Sequence, residues 1–258
     1  MALVRPQSFS NLRAFIKNQF PTFTERGVIG KLLDPDNPTE LDLLRRFRYK
    51  YWVERFKYVD ETETDGEYEY DKYDEHSTHF GVFDQDTEDI IGYARIISPG
   101  KHGLQVDNVF EDLVHPRAPD TDRMPRSAES SRLIVAPEAG GKRRDVARML
   151  YKLQYQFFKR YGFKYWYTTT YIPFLRALRA QKYKFDIIGP GQDYQGHMCF
   201  PTLMVMDEFD AYLSEKDPEH YYWLNDGIDE IKDINSIFSD IPEDLRLFNP
   251  EYIVKRKK

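Results

Sequence analysis

The 258-residue chain carries a formal charge of -6 and a single cysteine, Cys199. At about 150 residues per domain this length suits one domain with embellished ends. The acidic balance argues against a dedicated nucleic-acid binder, and one cysteine excludes an intrachain disulfide framework and a four-cysteine zinc site.

In chain order, Ser10 can cap a short helix to Gln19 that Pro21 stops, with Leu12, Phe15 and Ile16 on one face. Thr39 can cap a longer helix over 40–56. Leu41, Leu44, Tyr51 and Trp52 recur there at helical spacing, with Arg45, Arg46 and Arg48 between them. The acidic stretch Asp60 to Glu69 reads as a surface loop or lid. Strands follow over 79–83 and 90–97, joined by a polar turn over 84–89. A proline-rich crossing over 115–126 leads to a strand over 131–135 and a helix over 143–161 that buries Val146, Leu150, Leu153 and Phe157. A strand over 165–170, a helix over 173–181 and strands near 185–188 and 198–206 complete an α+β sheet packed by helices. Cys199 falls inside the last of these and reads as inert core. No window approaches the 18 apolar residues of a membrane span and the N-terminus has no signal-peptide core, so a soluble, cytoplasmic protein without stable membrane insertion is expected.

Several groups of residues carry chemistry. Glu129-Ser-Ser-Arg132 places a carboxylate and a guanidinium at the mouth of an apolar strand. Residues three apart on a regular strand point to opposite faces, so a direct Glu129–Arg132 pair would require a bulge or bend. Arg95 and Arg132 suit either holding a carboxylate of a small molecule or organising nearby acids. Asp71 and Asp74 suit either a cationic amine or a structural cap. Adding His76 and His79 to them suggests a metal site, but these histidines would diverge on a strand and a second ligand pair is missing, so no metal is expected. Gly140-Gly-Lys142-Arg143-Arg144 joins the strand to the next helix, where amide N–H groups and basic side chains suit an anion. Arg144, Arg148 and Lys152 recur every four residues, opposite Val146 and Leu150, and read as a basic outer stripe.

Together these motifs resemble the GNAT acyltransferase fold, and within it the autoinducer-synthase branch: acyl-homoserine lactone synthases, N-acyl amino acid synthases and exosortase-associated acyltransferases. The resemblance covers roughly residues 40–205. It rests on Arg48 with Trp52 four residues on, Asp71-x-x-Asp74 after Tyr70, Gly92-x-x-Arg95, Phe110, Glu129-x-Ser-Arg132, and Thr170 ahead of Arg176-x-Leu-Arg179. It implies a GNAT-like mixed sheet flanked by helices over 39–206, an N-terminal extension over 1–38 packed on that core, and an acidic C-terminal extension over 207–258.

The function so implied is transfer of a fatty acyl group from acyl-carrier protein, or from coenzyme A, to the amine of S-adenosylmethionine or an amino acid. The alternative is a non-catalytic acyl or carrier-protein binding module on the same fold. Glu129, with Arg132 and Arg95, would be catalytic; Arg48, Trp52, Asp71, Asp74 and Phe110 would bind the acceptor. Val135, Gly140, Gly141, Lys142, Arg143, Arg144, Thr170 and Phe174 would bind the acyl-phosphopantetheine donor. No cofactor would be permanently bound, and the basic stripe would dock the carrier protein. Tyr58 stands where the lactone synthases carry a tryptophan that helps form their S-adenosylmethionine site, which leaves the acceptor open.

Overall fold

A computed structural model describes residues 20–98, 100–110, 113 and 126–228. The helix expected over 10–19 and nearly all of the proline-rich crossing lie outside these residues. The chain divides into two compact units, 1–96 with 131–154 and 97–130 with 155–258.

In the first unit Phe23–Glu25 (β1) and Val28–Leu33 (β2) form a hairpin whose second strand runs antiparallel to Ser77–Asp84 (β3), from Val28 opposite Asp84 to Leu33 opposite His79. These two strands were not expected from the sequence. They are short, and their apolar residues are broken by Arg26-Gly27, whose positive φ angles of 50° and 76° make the tight turn. Ile90–Ile97 (β4) follows as the expected partner of β3 across the 84–89 turn, and Ser127–Val135 (β5) lies beside it. The helix Arg143–Arg160 packs its first half on these strands. Cβ atoms built at Gly30 and Gly92 would run into Met149 and Val146, so glycine is what permits the close approach.

Ahead of β3, Pro38–Arg48 (α1) is capped by Asn37, whose Oδ1 accepts from the Thr39 amide at 3.0 Å, instead of by Thr39. Tyr49–Arg55 then continues as a π-helix, with the Phe56 amide reaching the Tyr51 carbonyl at 2.8 Å. The stretch expected as an exposed acidic loop is exposed over 61–63, but Glu69 at its end is 2% exposed.

In the second unit Gln105–Val109 (α2) is a short turn of helix, and the start of β5 pairs in parallel with Tyr165–Tyr171 (β6). Strand β6 is antiparallel to His197–Val205 (β9), which also takes Asp186–Ile187 (β7) and Gln192–Tyr194 (β8). The sheet order is therefore β1-β2-β3-β4-β5-β6-β9-β7, mixed because β5–β6 is parallel whereas β2–β3 and β6–β9 are antiparallel. Numbering Arg143–Arg160 as α3, the helix Ile172–Ala180 (α4) follows β6, and Met206–Lys216 (α5) and Pro218–Asn225 (α6) close the described chain. Aromatic packing makes the core: Phe158 stacks on Trp166 at 4.4 Å and Tyr183 on Phe209 at 5.4 Å. Tyr155 Oη donates to Asp210 at 2.7 Å, which ties α5 to the end of α3. Among the described residues no helix is long and apolar enough to cross a membrane.

Candidate functional site

The first unit gathers six of the expected residues into one buried charge network. Arg95, fully buried on β4, donates from Nη1 and Nη2 to the two oxygens of Asp71 at 2.6 and 2.9 Å. This fork geometry is the pairing guanidinium makes best. Arg95 Nη1 also reaches Asp74 at 2.7 Å, and Nε and Nη2 donate to Ser131 Oγ at 3.2 and 2.9 Å. Arg48 comes from the last turn of α1, where it is buried and not on the solvent side, and donates to Asp74 at 2.7 Å and to Glu69 at 2.5 Å. Arg132 donates to the other oxygen of Glu69 at 3.0 Å and to Asp71 at 3.2 Å, and its guanidinium lies 4.6 Å over the Trp52 ring. Three arginines thus face three carboxylates.

Glu69 is the member that sequence reading missed. It closes the run of acids, and its place there points to the surface. Its spacing held the signal: in extended chain Glu69 and Asp71 share a side, so the carboxylate adjoining the Asp71/Asp74 motif could have been placed with it.

Arg132 joins the network because β5 breaks its alternation. Its φ is 55°, in the left-handed region that non-glycine residues avoid, at a cost of about 1–3 kcal/mol. In a regular strand Ser131 and Arg132 would point to opposite faces; here both meet the Arg95–Asp71 group. The bend that a departure from strand alternation requires is therefore present at Arg132 itself.

Electrostatics hold all six groups charged. Burial would lift the Asp71 carboxyl, but Arg95 and then Arg132 outweigh it and bring it down to about 2. Burial likewise opposes ionisation of Asp74, which Arg48 and Arg95 hold well below the usual carboxylate range, and of Glu69, lowered by Arg132 and Arg48. Burial also pushes the Tyr93 phenol above its ordinary range; it lies 2.7 Å from His79 Nδ1 and under Arg48, forming the floor of the network.

Two donors in the network have no partner. Arg48 Nη2 and Trp52 Nε1 are both buried without an acceptor, and the two residues lie four positions apart across the α1-to-π-helix junction. Trp52 meets the edge of Tyr58 at 4.9 Å.

After β5 the loop Pro137–Lys142 leads into α3, with Val135 half-buried just before it. Gly140 takes φ 52°, and a Cβ at Gly140 or Gly141 would meet nothing within 4 Å. Arg143 and Arg144 are exposed. Lys142 is committed elsewhere: its ammonium contacts both oxygens of Asp84 at 2.9 Å, Asp86 at 3.0 Å and the Gly27 carbonyl at 3.3 Å. The expected basic outer stripe is also broken. Lys152 is fully buried, 2.6 Å from Glu25 and 4.8 Å over the Phe23 ring, because the β1 strand covers that turn of α3.

The second unit holds the remaining expected residues. Glu129 is fully buried; its Oε2 accepts from the Val106 amide at 2.8 Å and its Oε1 from Thr169 Oγ1 at 3.0 Å. Phe110 is buried at the end of α2, Thr170 is buried on β6, and Phe174 is half-buried on α4 and stacks with Tyr171. Cys199 is buried and its thiol is pushed up by desolvation, which fits inert core.

Compared with known proteins, residues 47–152 match the family model described as an acetyltransferase (GNAT) domain. No curated protein matches the chain. Among solved structures, the acyl-homoserine lactone (AHL) synthase LasI is similar over 69% of this chain and 90% of its own, at 16% identity and a TM-score of 0.57. The coenzyme-A-dependent acyl-homoserine lactone synthase BjaI, solved with S-adenosylmethionine and isopentyl-CoA, is similar over 71% of this chain and 85% of its own, at 15% identity and a TM-score of 0.52. FeeM, an N-acyl amino acid synthase from uncultured soil microbes, is similar over 73% of this chain and 95% of its own, at 16% identity and a TM-score of 0.50. At these identities the likeness is one of fold, and the fold is the GNAT-like one expected from the motifs.

Proposed function

We propose that this protein of GNAT-like fold is an N-acyltransferase that moves a fatty acyl group from a phosphopantetheine thioester to the amine of S-adenosylmethionine or an amino acid. The observation that carries the acceptor half is the pair of unsatisfied buried donors, Arg48 Nη2 and Trp52 Nε1. A buried N–H without an acceptor costs about 1–3 kcal/mol, more when charged, and a ligand oxygen removes that cost. The surrounding network is already balanced, three cations against three anions, so a lone carboxylate or a lone ammonium would unbalance it. A zwitterionic α-amino acid would not: its carboxylate takes the two donors and its amine stays beside the acids. In this reading Arg95 and Arg132 are positioning residues that act through Asp71, Asp74 and Glu69.

In the transfer, the bound ammonium first loses one proton to solvent; the neutral amine then attacks the thioester carbonyl, the N–C bond forms and the C–S bond breaks. Glu129, the proposed base, takes a proton from the attacking amine through water and returns it to the departing thiolate, which leaves as the thiol. The Val106 amide and the Thr169 hydroxyl fix the Glu129 carboxylate in orientation. The donor's phosphate is met by the amides around Gly140 and Gly141 at the start of α3, with Arg143 and Arg144, while Lys142 serves the loop's own structure. Thr170 and Phe174 of the second unit and, separately, Val135 of the first are candidates to contact the acyl-phosphopantetheine donor, and Phe110 is a candidate to contact the acceptor. BjaI was solved with isopentyl-CoA and S-adenosylmethionine together, which supports both a coenzyme-A-type donor arm and an amino-acid-like acceptor. Acyl-carrier protein is the proposed carrier, with coenzyme A as the other source of the same arm.

Thiol release from acyl-carrier protein and acyl-CoA is the test, run with S-adenosylmethionine and with pooled amino acids. Acceptor-dependent release and an N-acyl product by mass spectrometry are expected. Binding of donor without acceptor-dependent release would reject catalysis and leave a binding module.

A further inference from the structure

The loop Pro137–Lys142 is fastened at both ends by residues distant in sequence. At its far end Lys142 is held by Asp84, Asp86 and the Gly27 carbonyl. At its near end Glu138 Oε2 accepts from Tyr51 Oη at 2.8 Å, and Oε1 lies 3.0 Å from Lys50 Nζ and 3.9 Å from Arg55 Nη1. Lys50, Tyr51 and Arg55 all belong to the π-helical segment Tyr49–Arg55, so three side chains of one turn converge on one carboxylate.

Tyr51 is the rigid member. It is 1% exposed, and its ring packs against Phe47 at 4.7 Å and Phe56 at 6.1 Å, whereas Lys50 and Arg55 are half exposed. The Tyr51 and Lys50 hydrogen bonds bring the Glu138 carboxyl down to about 2, so the acceptor of this bond stays ionised across the working range. The next residue, Trp52, lies under the Arg132 guanidinium and carries one of the two unsatisfied donors. π-Helical turns recur at functional sites because the wider turn re-aims its side chains. Here it directs neighbouring residues to two separate tasks.

We infer that Tyr51 and Glu138 form a positioning pair that sets the Gly140–Gly141 loop against the segment bearing Trp52, so that filling either the donor loop or the acceptor cluster favours the other. This rests on the proposed reading of the loop as the place for the donor phosphate. Neither residue touches the reacting atoms; their effect is on donor affinity and on its coupling to the acceptor.

The experiment uses the full chain with coenzyme A and holo-acyl-carrier protein as probes, titrated with and without S-adenosylmethionine or an amino acid. Tyr51→Phe and Glu138→Gln are each expected to raise Kd for the probe about fivefold, and the double variant no further, as for two ends of one contact. In both variants the gain in probe affinity on adding acceptor should fall. Tyr49→Phe is the control, since its hydroxyl meets Glu61 and not the loop, and it should bind as the wild type does. Unchanged Kd and coupling in Tyr51→Phe, or simple addition of the two losses, would overturn the pair's role. If the wild type binds neither probe, the loop reading and the inference fall together.

Discussion

The cluster around Asp71 shows how single residues convert burial into specificity. Every guanidinium in it reaches at least two oxygens, so replacing one acid leaves a buried cation uncompensated, at a cost of about 3–5 kcal/mol. Asp74→Asn is therefore expected to lower the urea midpoint strongly, because Asp74 Oδ1 accepts from both Arg48 and Arg95. Trp52→Phe is the gentler change: it keeps an aromatic ring to face Arg132 while removing the indole N–H together with the second ring. Acceptor KM should rise about fivefold with kcat little changed, since one ground-state hydrogen bond is lost. Equal KM in steady-state assays would separate Trp52 from acceptor binding. Most members of the cluster were legible because their types and spacings form motifs. Glu69 was not, since an acid ending a run of acids is indistinguishable from surface until its partners are placed.

At the scale of elements, the long amphipathic segments were legible and the irregular ones were not. Helix α3 carries a clear apolar period and strands β4 and β6 are continuous runs of strand-forming residues, and all three lie within a residue of their expected bounds. The β1–β2 hairpin is too short for a period to show, yet it turns Lys152 from an outer residue into a buried one. The left-handed Arg132 and the π-helical turn have no local signature, because both arise where side chains from distant segments must meet. Gly92 illustrates the opposite case: the motif position has a packing cause. A methyl group there would strike Val146, whose β-branched side chain has few rotamers, whereas one at Gly30 would meet Met149, which can bend aside. Gly92→Ala should thus lower stability by about 1–3 kcal/mol and Gly30→Ala by less, read as shifts in thermal midpoint.

For the whole molecule, charge is unevenly employed. The net charge is -6, yet three arginines lie buried in one network and Lys152 lies beneath the first hairpin, so the basic surface at the start of α3 consists of the exposed Arg143 and Arg144, with Arg148 half-buried. Arg143→Glu with Arg144→Glu should weaken acyl-carrier-protein binding in a salt-dependent manner; equal affinity at low salt would remove this surface from docking. Acid stability follows from the depressed carboxyls. Asp71 and Glu138 titrate near 2 when folded, below their unfolded values of about 4. Their stabilisation is complete above about pH 4 and is lost as pH falls from there through about 2, because the unfolded chain takes up protons first. Urea midpoints measured between pH 5 and 2.5 should fall accordingly, and less so in Glu138→Gln.

The sequence by itself determined the α+β class, the order of the major elements and most of the charged residues around Arg95, though it grouped Glu129 with them and left Glu69 out. Periodicity and motif spacing are local properties that survive without knowledge of the fold. Only the tertiary structure decided which of those charges are available. It commits Lys142 and Lys152 to carboxylates, adds Glu69 to the network, turns Arg132 inward through one left-handed residue, and leaves Arg48 Nη2 and Trp52 Nε1 without acceptors. Whether a polar group is satisfied depends on partners far away in the chain, and no local pattern contains them.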